Sequence, residues 1–282
     1  MARIDALSVE LLEGGKEKLA ESYGKVIENI ATGTLSSVFA NKELSGDVTT
    51  GTVEAKRFCN VTGNAYGTAR TGGKAQTIKA KPVVIQIDDN KEYIEEVEEK
   101  DLRMYGVDGL IAKRTANHEM MIQIDNDTAF FQAMYAEGAQ HTETGTTAGE
   151  KLESAIGAVE GTKNEYVNGV PRQMIKVVMT PAKYGTIRNY LDTNTNNANV
   201  NTGVGEMGQF HGVDVFSSVN LPAGVDYVVF VDGAVAQPKS PSIYDPARIG
   251  LSDAIAFGMF IYKGTKAVMP DLIKYVGTKY SV

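Results

Sequence analysis

The chain has 282 residues, which is enough for one large domain or two ordinary ones. With 43% hydrophobic and 22% charged residues, its composition is that of a folded globular protein and excludes a disordered chain. The formal charge of -7 weighs against a protein whose main task is to neutralise nucleic-acid phosphates, and the single cysteine, Cys59, excludes an internal disulfide and a cysteine cluster for zinc.

Two patterns bear on where the protein acts. The longest near-continuous apolar run, residues 254–262, is much shorter than the roughly 20 residues that cross a bilayer, so we expect no membrane span. Residues 1–10 lack the apolar core and cleavage site of a secretory signal. We therefore expect synthesis and action in the cytoplasm.

The first third of the chain has few core-forming residues. Residues 7–30 carry apolar positions among many charges, but Gly14, Gly15 and Gly24 interrupt the helical spacing, which predicts an arm with short helices. Residues 48–81 are rich in Thr, Gly and Ala, and their flanks, Val53–Phe58 and Thr77–Ile87, have the composition of strands. This pattern predicts a long two-stranded excursion from the body.

The excursion and the segment that follows it carry opposite charges. Six bases against the single acid Glu54 give the excursion a net charge of +5, whereas eight acids against two bases give residues 88–101 a net charge of -6. The acidic segment lacks the glycine-containing spacing of a calcium loop, so we predict a charged helix that faces solvent or a partner. The bases of the excursion are Lys56, Arg57, Arg70, Lys74, Lys79 and Lys81.

A long helix is predicted next. Asp108 is a suitable N-cap, Gly138 a suitable stop, and the residues between them are mostly helix formers without proline. Thirty helical residues span about 45 Å, and the apolar positions mark one buried stripe. We expect this rod to be the backbone of the molecule.

The remaining sequence alternates between helix and strand. Helices are predicted at 150–160 and from Pro181 to near Leu191, and the residues between them include a buried strand at 175–179. A polar loop at 192–208 precedes further strands at 213–217, 227–231 and 254–262, and 271–276 is a strand or a helix. The alternation predicts an α/β region.

No motif supports catalysis, a cofactor or a metal. Gly203, Gly205 and Gly208 fit the spacing of a dinucleotide fingerprint, but they follow a polar run and precede strand residues, so we interpret them as a surface loop. The histidines are scattered, and none has a second histidine at the spacing that puts two ligands on one helical face. Cys59 has no partner that marks a nucleophile, so we predict a buried or half-buried small side chain. The histidines are His118, His141 and His211.

Three stretches, taken in order, resemble a known family. Residues 98–101 and 106–110 lead into the long helix, residues 176–181 run from a strand into a helix, and residues 210–222 form a turn and strand ending in Leu221-Pro222. The arrangement resembles the major capsid proteins of tailed bacteriophages, which have the Hong-Kong-97-type fold.

The resemblance implies an α+β fold in four parts. An N-terminal arm would occupy 1–45 and an extended β-hairpin loop 46–81. A peripheral domain with the long spine helix would take 82–140 and 236–263, and an α/β axial domain would take 141–235 and 264–282. Because only about 45 residues precede the loop, we expect scaffolding to be supplied by a separate protein.

The same resemblance implies a structural role without enzymatic activity. Copies of the chain would assemble in the host cytoplasm into pentamers and hexamers of an icosahedral phage head, and so become part of the virion. The partners implied are other copies, a scaffolding protein, a portal and packaged double-stranded DNA bound without sequence specificity. Two alternatives stay open: an encapsulin-type compartment shell and, more remotely, a nucleotide-dependent α/β enzyme.

The opposite charges suggest a contact between subunits, although both segments could equally be solvated faces. Some capsids of this fold also join a loop lysine to an asparagine of a neighbour; Lys56, Lys74, Lys79 and Lys81 are candidates by position, but we favour a non-covalent shell. The predicted charge contact joins Lys56, Arg57, Arg70 and Lys74 of one subunit to Glu95, Glu96, Glu98 and Glu99 of the next.

Overall fold

A computed structural model of the chain describes residues 26, 28, 34–63, 65–66, 77–98, 107–193, 208–243, 247–248 and 254–278. Most of the predicted arm, the tip of the excursion and the polar loop therefore lie outside the described residues. Among those that are described, no helix is long and apolar enough to span a membrane. The α-helices are α1 (Leu35–Phe39), α2 (Val107–Glu137), α3 (Ala148–Glu160) and α4 (Pro181–Thr193).

The strands form two main sheets, a hairpin and one minor pair, and 3-10 turns lie at Val48–Thr50, Arg172–Met174 and Pro270–Leu272. In chain order the strands are β1 (Thr52–Phe58), β2 (Ala80–Gln86), β3 (Asp89–Val97), β4 (Ala139–Gln140), β5 (Ile175–Met179), β6 (Gln209–Phe210), β7 (Val213–Ser217), β8 (Val225–Val231), β9 (Val235–Ala236), β10 (Lys239–Ile243), β11 (Ala247–Arg248), β12 (Ile255–Lys263), β13 (Lys266–Ala267) and β14 (Ile273–Gly277).

The larger sheet has six strands in the order β4-β14-β8-β5-β7-β6. Its central strands bury apolar side chains on both faces because both faces are covered: Val177 and Met179 of β5 pack in the cluster that contains α3 and α4, whereas Val178 packs in the cluster on the other side. A capping box between Thr147 and Glu150 fixes the start of α3. The predicted α/β region is confirmed, and residues 271–276 resolve into a 3-10 turn followed by β14.

Helix α2 is the predicted rod. It has 31 residues, so it is about 46 Å long. It ends at Glu137, just before the predicted stop at Gly138, but it begins at Val107, so Asp108 lies inside the helix and the prediction of Asp108 as N-cap is wrong. Its C-terminal part places Phe130, Phe131 and Met134 in the core against the six-stranded sheet. Its N-terminal part contacts the smaller sheet through Arg114 and Asp125. The rod therefore joins the two sheets.

The smaller sheet is built around β12. Strands β10 and β11 pair with one edge of β12, and β3 pairs with the other edge in an unbroken antiparallel register from Asp89 opposite Lys263 to Val97 opposite Ile255. Gly258 lies opposite Ile94, where a side-chain carbon would collide with the backbone of Tyr93. Glycine therefore permits the close approach of β3.

The predicted acidic helix is wrong, because the core of the segment, 89–97, is strand β3. Its side chains alternate: Tyr93, Glu95 and Val97 are half-buried or buried, whereas Ile94 and Glu96 are exposed. The many acidic residues hide this two-residue alternation in the sequence. Pairing with the apolar strand β12 and an ionic partner for the inward-facing Glu95 favour the strand over the helix.

The predicted two-stranded excursion begins as an antiparallel hairpin. Strand β1 pairs with β2 from Thr52 opposite Gln86 to Phe58 opposite Ala80, which confirms both predicted strands. The chain between Phe58 and Ala80 connects them, and residues 64 and 67–76 lie outside the described part.

Candidate functional site

The root of the hairpin is packed against the body. Ala55 of β1 and Ile85 of β2 are buried with Ala236 and Val268 in a small cluster beside the larger core. Lys266 adds a hydrogen bond of 3.1 Å from its Nζ to the carbonyl of Val84. Alternation along β1 turns one face toward this cluster and leaves the other toward solvent.

Beyond the root, Arg57 binds the hairpin to the six-stranded body through a set of contacts that we call the latch. Its Nη1 and Nη2 donate to Oδ1 and Oδ2 of Asp271 at 2.5 and 2.9 Å, and Asn164 Nδ2 donates to the same Oδ2 at 2.5 Å. The guanidinium lies 4.4 Å from the ring centre of Tyr166. A groove of about 510 Å³ beside these residues separates hairpin and body.

The latch changes the acid-base properties of its members. Burial alone would raise the pKa of the Asp271 carboxyl, but hydrogen bonds from Arg57 and Asn164 hold that pKa below its usual range. A hydrogen bond to Glu165 is the main cause that raises the pKa of Tyr166 to about 12, and Cys59 adds to it. The Asp271 carboxylate is thus held in its charged form at neutral pH.

The outer part of the hairpin exposes large apolar side chains. Phe58, Val61 and Ile78 are 58%, 80% and 83% exposed, and they line a groove next to the 164–168 turn. Exposed large apolar side chains that lie close together are typical of surfaces where another molecule binds. The hairpin therefore buries its apolar side chains at its root and exposes them beyond it.

The smaller sheet has an exposed outer face. Residues directly opposite one another share a face, so Ile94 and Glu96 of β3 lie with Phe260 and Tyr262 of β12 on the side away from α2. Phe260 and Tyr262 stack at 6.2 Å, and Ile94 is 46% exposed. In the part of the chain that the structure describes, the second edge of β3 has no strand partner.

Comparison with known proteins gives a clear result at the level of structure. No family model and no curated protein matches the sequence. A structure from Mycobacterium phage Che8 is similar with a TM-score of 0.62 and 20% identity, covering 80% of this chain and 84% of that one. The capsid of Cyanophage P-SCSP1u has a TM-score of 0.62 and 14% identity, covering 86% and 87%.

A third structure, a virus-like particle from Pyrococcus furiosus, has a TM-score of 0.57 and 12% identity and covers 92% of this chain and 98% of its own. The chain has the Hong-Kong-97-type capsid fold. The fold predicted from the order of sequence segments is therefore confirmed.

Within this capsid fold, the structure places the predicted contact residues in different surroundings. Arg57 is held by Asp271 of its own chain, and Glu95 by Arg114 and His118 of α2. Lys56 is 53% exposed and 4.0 Å from Glu54, and Glu96 and Glu98 are exposed. The predicted contact between subunits stays a prediction. Arg70, Lys74 and Glu99 lie outside the described residues.

A buried charge network was not found from the sequence. Lys263, at the end of β12, is almost completely buried and binds Asp125 of α2, with Asp89 of β3 at 3.4 Å. Lys91 binds the same Asp125, and these two lysines hold the pKa of Asp125 below its usual range against the effect of burial. The network fastens the smaller sheet to the rod of the capsid fold.

The remaining candidate residues have local roles. His118 is buried, which together with Arg114 lowers its pKa, and His141 Nε2 lies 3.3 Å from Ser154 Oγ. His211 Nδ1 lies 3.1 Å from Glu153, beside Arg172. Over the described residues, no three His, Cys, Asp or Glu side chains are grouped so that they could hold a metal ion.

The other two sequence motifs also have structural surroundings. Cys59 is half-buried, as predicted. Gly208 is followed by strand β6, as predicted, whereas Gly203 and Gly205 lie outside the described residues.

Proposed function

We propose that the chain is the shell-forming subunit of a tailed-phage head, a structural protein that assembles into pentamers and hexamers around double-stranded DNA. The observation that carries the proposal is the capsid fold over most of the chain, joined to a hairpin that is packed only at its root. A separate scaffolding protein and a portal complete the proposed set of partners. The four-part division into arm, loop, peripheral domain and axial domain belongs to the same proposal.

The contact that we propose between subunits joins the hairpin of one copy to the outer face of the smaller sheet of the next. The hairpin offers exposed apolar side chains with Lys56 and Lys79, and the sheet offers Ile94 with Glu96 and Glu98. Each surface thus combines apolar area with one sign of charge, and the signs are opposite.

Ion pairs within the chain show which of the predicted residues are available for that contact. Because Arg57 and Glu95 are already paired in their own chain, the contact depends more on Lys56, Glu96 and Glu98. Arg70, Lys74 and Glu99 remain part of the proposal.

Electron microscopy of the purified protein tests the function itself. We expect closed icosahedral shells, formed alone or with a scaffolding protein expressed from the same source. A subunit that stays monomeric from low to high ionic strength, with and without scaffolding protein, would contradict the proposal.

A charge exchange tests the contact. Lys56→Glu with Lys79→Glu should block assembly, and adding Glu96→Lys with Glu98→Lys should partly restore it. Assembly of the original chain should also weaken above physiological salt, where the screening length falls below about 8 Å.

A matched control makes the same change in net charge elsewhere. Lys42 is exposed and Lys151 of α3 is partly exposed, and both lie outside the hairpin and the turn that holds the latch, so Lys42→Glu with Lys151→Glu should leave assembly unchanged. If the control blocks assembly as strongly, or if the exchange fails to rescue a folded subunit, the proposed contact is wrong.

A second candidate is an encapsulin-type compartment shell that encloses protein instead of a genome. What supports it is the likeness to the Pyrococcus furiosus virus-like particle, which extends over nearly the whole of both chains. The contents of particles from the native source separate the two. Nuclease-protected DNA favours the phage head, and a co-purified cargo protein without DNA favours the compartment.

A further inference from the structure

The latch joins two parts of the fold that no other described ion pair connects. Asp271 lies in the 3-10 turn that leads into β14, and Asn164 and Tyr166 lie in the turn after α3. Arg57 contacts Asp271 and Tyr166 directly, and Asn164 supports Asp271, so all three residues that hold Arg57 belong to the six-stranded body. We propose that Arg57 and Asp271 are positioning residues that fix the direction of the hairpin relative to this body, and that this direction sets the shape of the assembled shell. The second part rests on the proposed function.

Geometry gives the first reason. The root holds the hairpin at Val53, Ala55 and Ile85, and the latch holds it again at Arg57. Val53 and Arg57 are four residues apart, which is about 13 Å along a strand. A strand held at one place can pivot, whereas a strand held at two separated places has a defined direction.

The chemistry of the latch is suited to orientation. Two parallel N–H···O bonds between a guanidinium and a carboxylate constrain angle as well as distance, and the flat guanidinium also lies over Tyr166. Lysine provides one point charge and neither of these constraints. The Arg57 side chain is only 13% exposed, so water competes poorly for it.

A backbone contact extends the latch. The N–H of Asn60 donates to the carbonyl of Glu165 at 2.8 Å, in the same turn that carries Asn164 and Tyr166. This hydrogen bond lies beyond the end of β1, next to the part of the hairpin whose apolar side chains are exposed. Its amide proton therefore reports whether the outer hairpin remains on the body.

The sequence provides a control one residue away. Lys56 is also a cation on β1, but it points to the opposite face and is 53% exposed. Lys56→Gln and Arg57→Gln remove the same charge from adjacent positions, and only the second removes the latch. Arg57→Lys keeps the charge and loses the two parallel bonds.

Hydrogen exchange on the unassembled subunit tests the first part. Arg57→Gln and Asp271→Asn should each speed exchange of the Asn60 amide at least tenfold, Arg57→Lys should give an intermediate effect, and Lys56→Gln should have none. The amide of Val177 in the six-stranded sheet should exchange at the original rate in all variants, which shows that each one folds. Unchanged exchange at Asn60 would overturn the positioning role.

Electron microscopy of assembled particles tests the second part. The latch variants should give shells of shifted or broadened diameter. Lys42→Gln removes one positive charge from an exposed residue outside both the hairpin and the latch, so its shells should keep the original diameter. Faster exchange with an unchanged diameter would overturn the role in shell shape. If the original chain forms no shell, the proposed function fails, while the exchange experiment still decides the role of the latch.

Discussion

The six-stranded body and the hairpin differ in how completely each is built within one chain. In the body, β5 and β8 bury apolar side chains on both faces under helices and the end of the rod. In the hairpin, burial stops at Ala55 and Ile85, and large apolar side chains beyond that point are exposed. The body therefore supplies most of the buried apolar area of the subunit, and the hairpin exposes apolar surface that we propose a neighbour covers.

Of the changes considered, an interruption of the rod that joins both sheets should destabilise the subunit most. Ile122 is fully buried in the middle of α2, so Ile122→Pro should cost more than about 3 kcal/mol from the backbone alone. We expect insoluble protein in an expression trial. Ile122→Val, which costs about 0.5 to 1.5 kcal/mol, is the control and should give soluble subunits. Assembly-competent Ile122→Pro protein would show that the rod is dispensable.

A truncation inside the body should have the next largest effect. Phe230 is fully buried in β8 and packs edge-on against Phe39 of α1 at 5.4 Å. Phe230→Ala should lower the free energy of unfolding by about 3 to 5 kcal/mol, measured by denaturant titration. A loss below about 1 kcal/mol would mean that the body is not the source of stability.

Acid should release the hairpin before it disturbs the core of the body. The pKa of Asp271 is lower in the folded chain than the roughly 3.9 of an unfolded aspartate, so its stabilising contribution is present above about pH 4 and is lost as the pH falls through the folded value. Exchange of the Asn60 amide, corrected for its intrinsic pH dependence, should rise over that range.

The same titration has an internal control. Other charged side chains line the groove, so the pH dependence of exchange that remains in the Arg57→Gln variant is their contribution. They are Lys81, Glu137, Glu165 and Lys266. That variant should lose most of the pH dependence. A dependence equal to that of the original chain would assign it to these other groups.

The smallest effect on the subunit should come from the exposed end of the hairpin. Phe58→Ala removes a large side chain that is mostly in water, so the free energy of unfolding should change by less than about 0.5 kcal/mol. Assembly measured by light scattering should nevertheless be impaired. A large loss of stability together with normal assembly would reverse the proposed division between the two regions.

Sequence reasoning succeeded where the determining signals are local. The end of α2 follows from Gly138, its length from the helix formers before that glycine, and Pro181 marks the start of α4. The strands of the body follow from short apolar runs. These features depend on neighbours in sequence, so they can be predicted without knowing what packs against them.

Reasoning from sequence failed where the partner is distant. The acids of β3 concealed an alternation that is stabilised by β12, more than 150 residues later. Arg57 and Asp271 are 214 residues apart, and Lys263 and Asp125 are 138 apart, so no local pattern pairs them. The latch residue Arg57 was expected to serve a neighbour, and the structure shows that its own chain holds it.

The open edge of β3 has a consequence for the protein before any shell exists. Among the residues that the structure describes, no strand pairs with the second edge of this nine-residue strand. An open edge of this kind is a template on which further copies can add as strands, and concentrated solutions of such a protein tend to precipitate. Glu96 and Glu98 stand on this strand and its end, and carboxylates of two copies repel each other when their edges meet. We therefore expect these two carboxylates to oppose edge-to-edge pairing of copies that have not yet assembled.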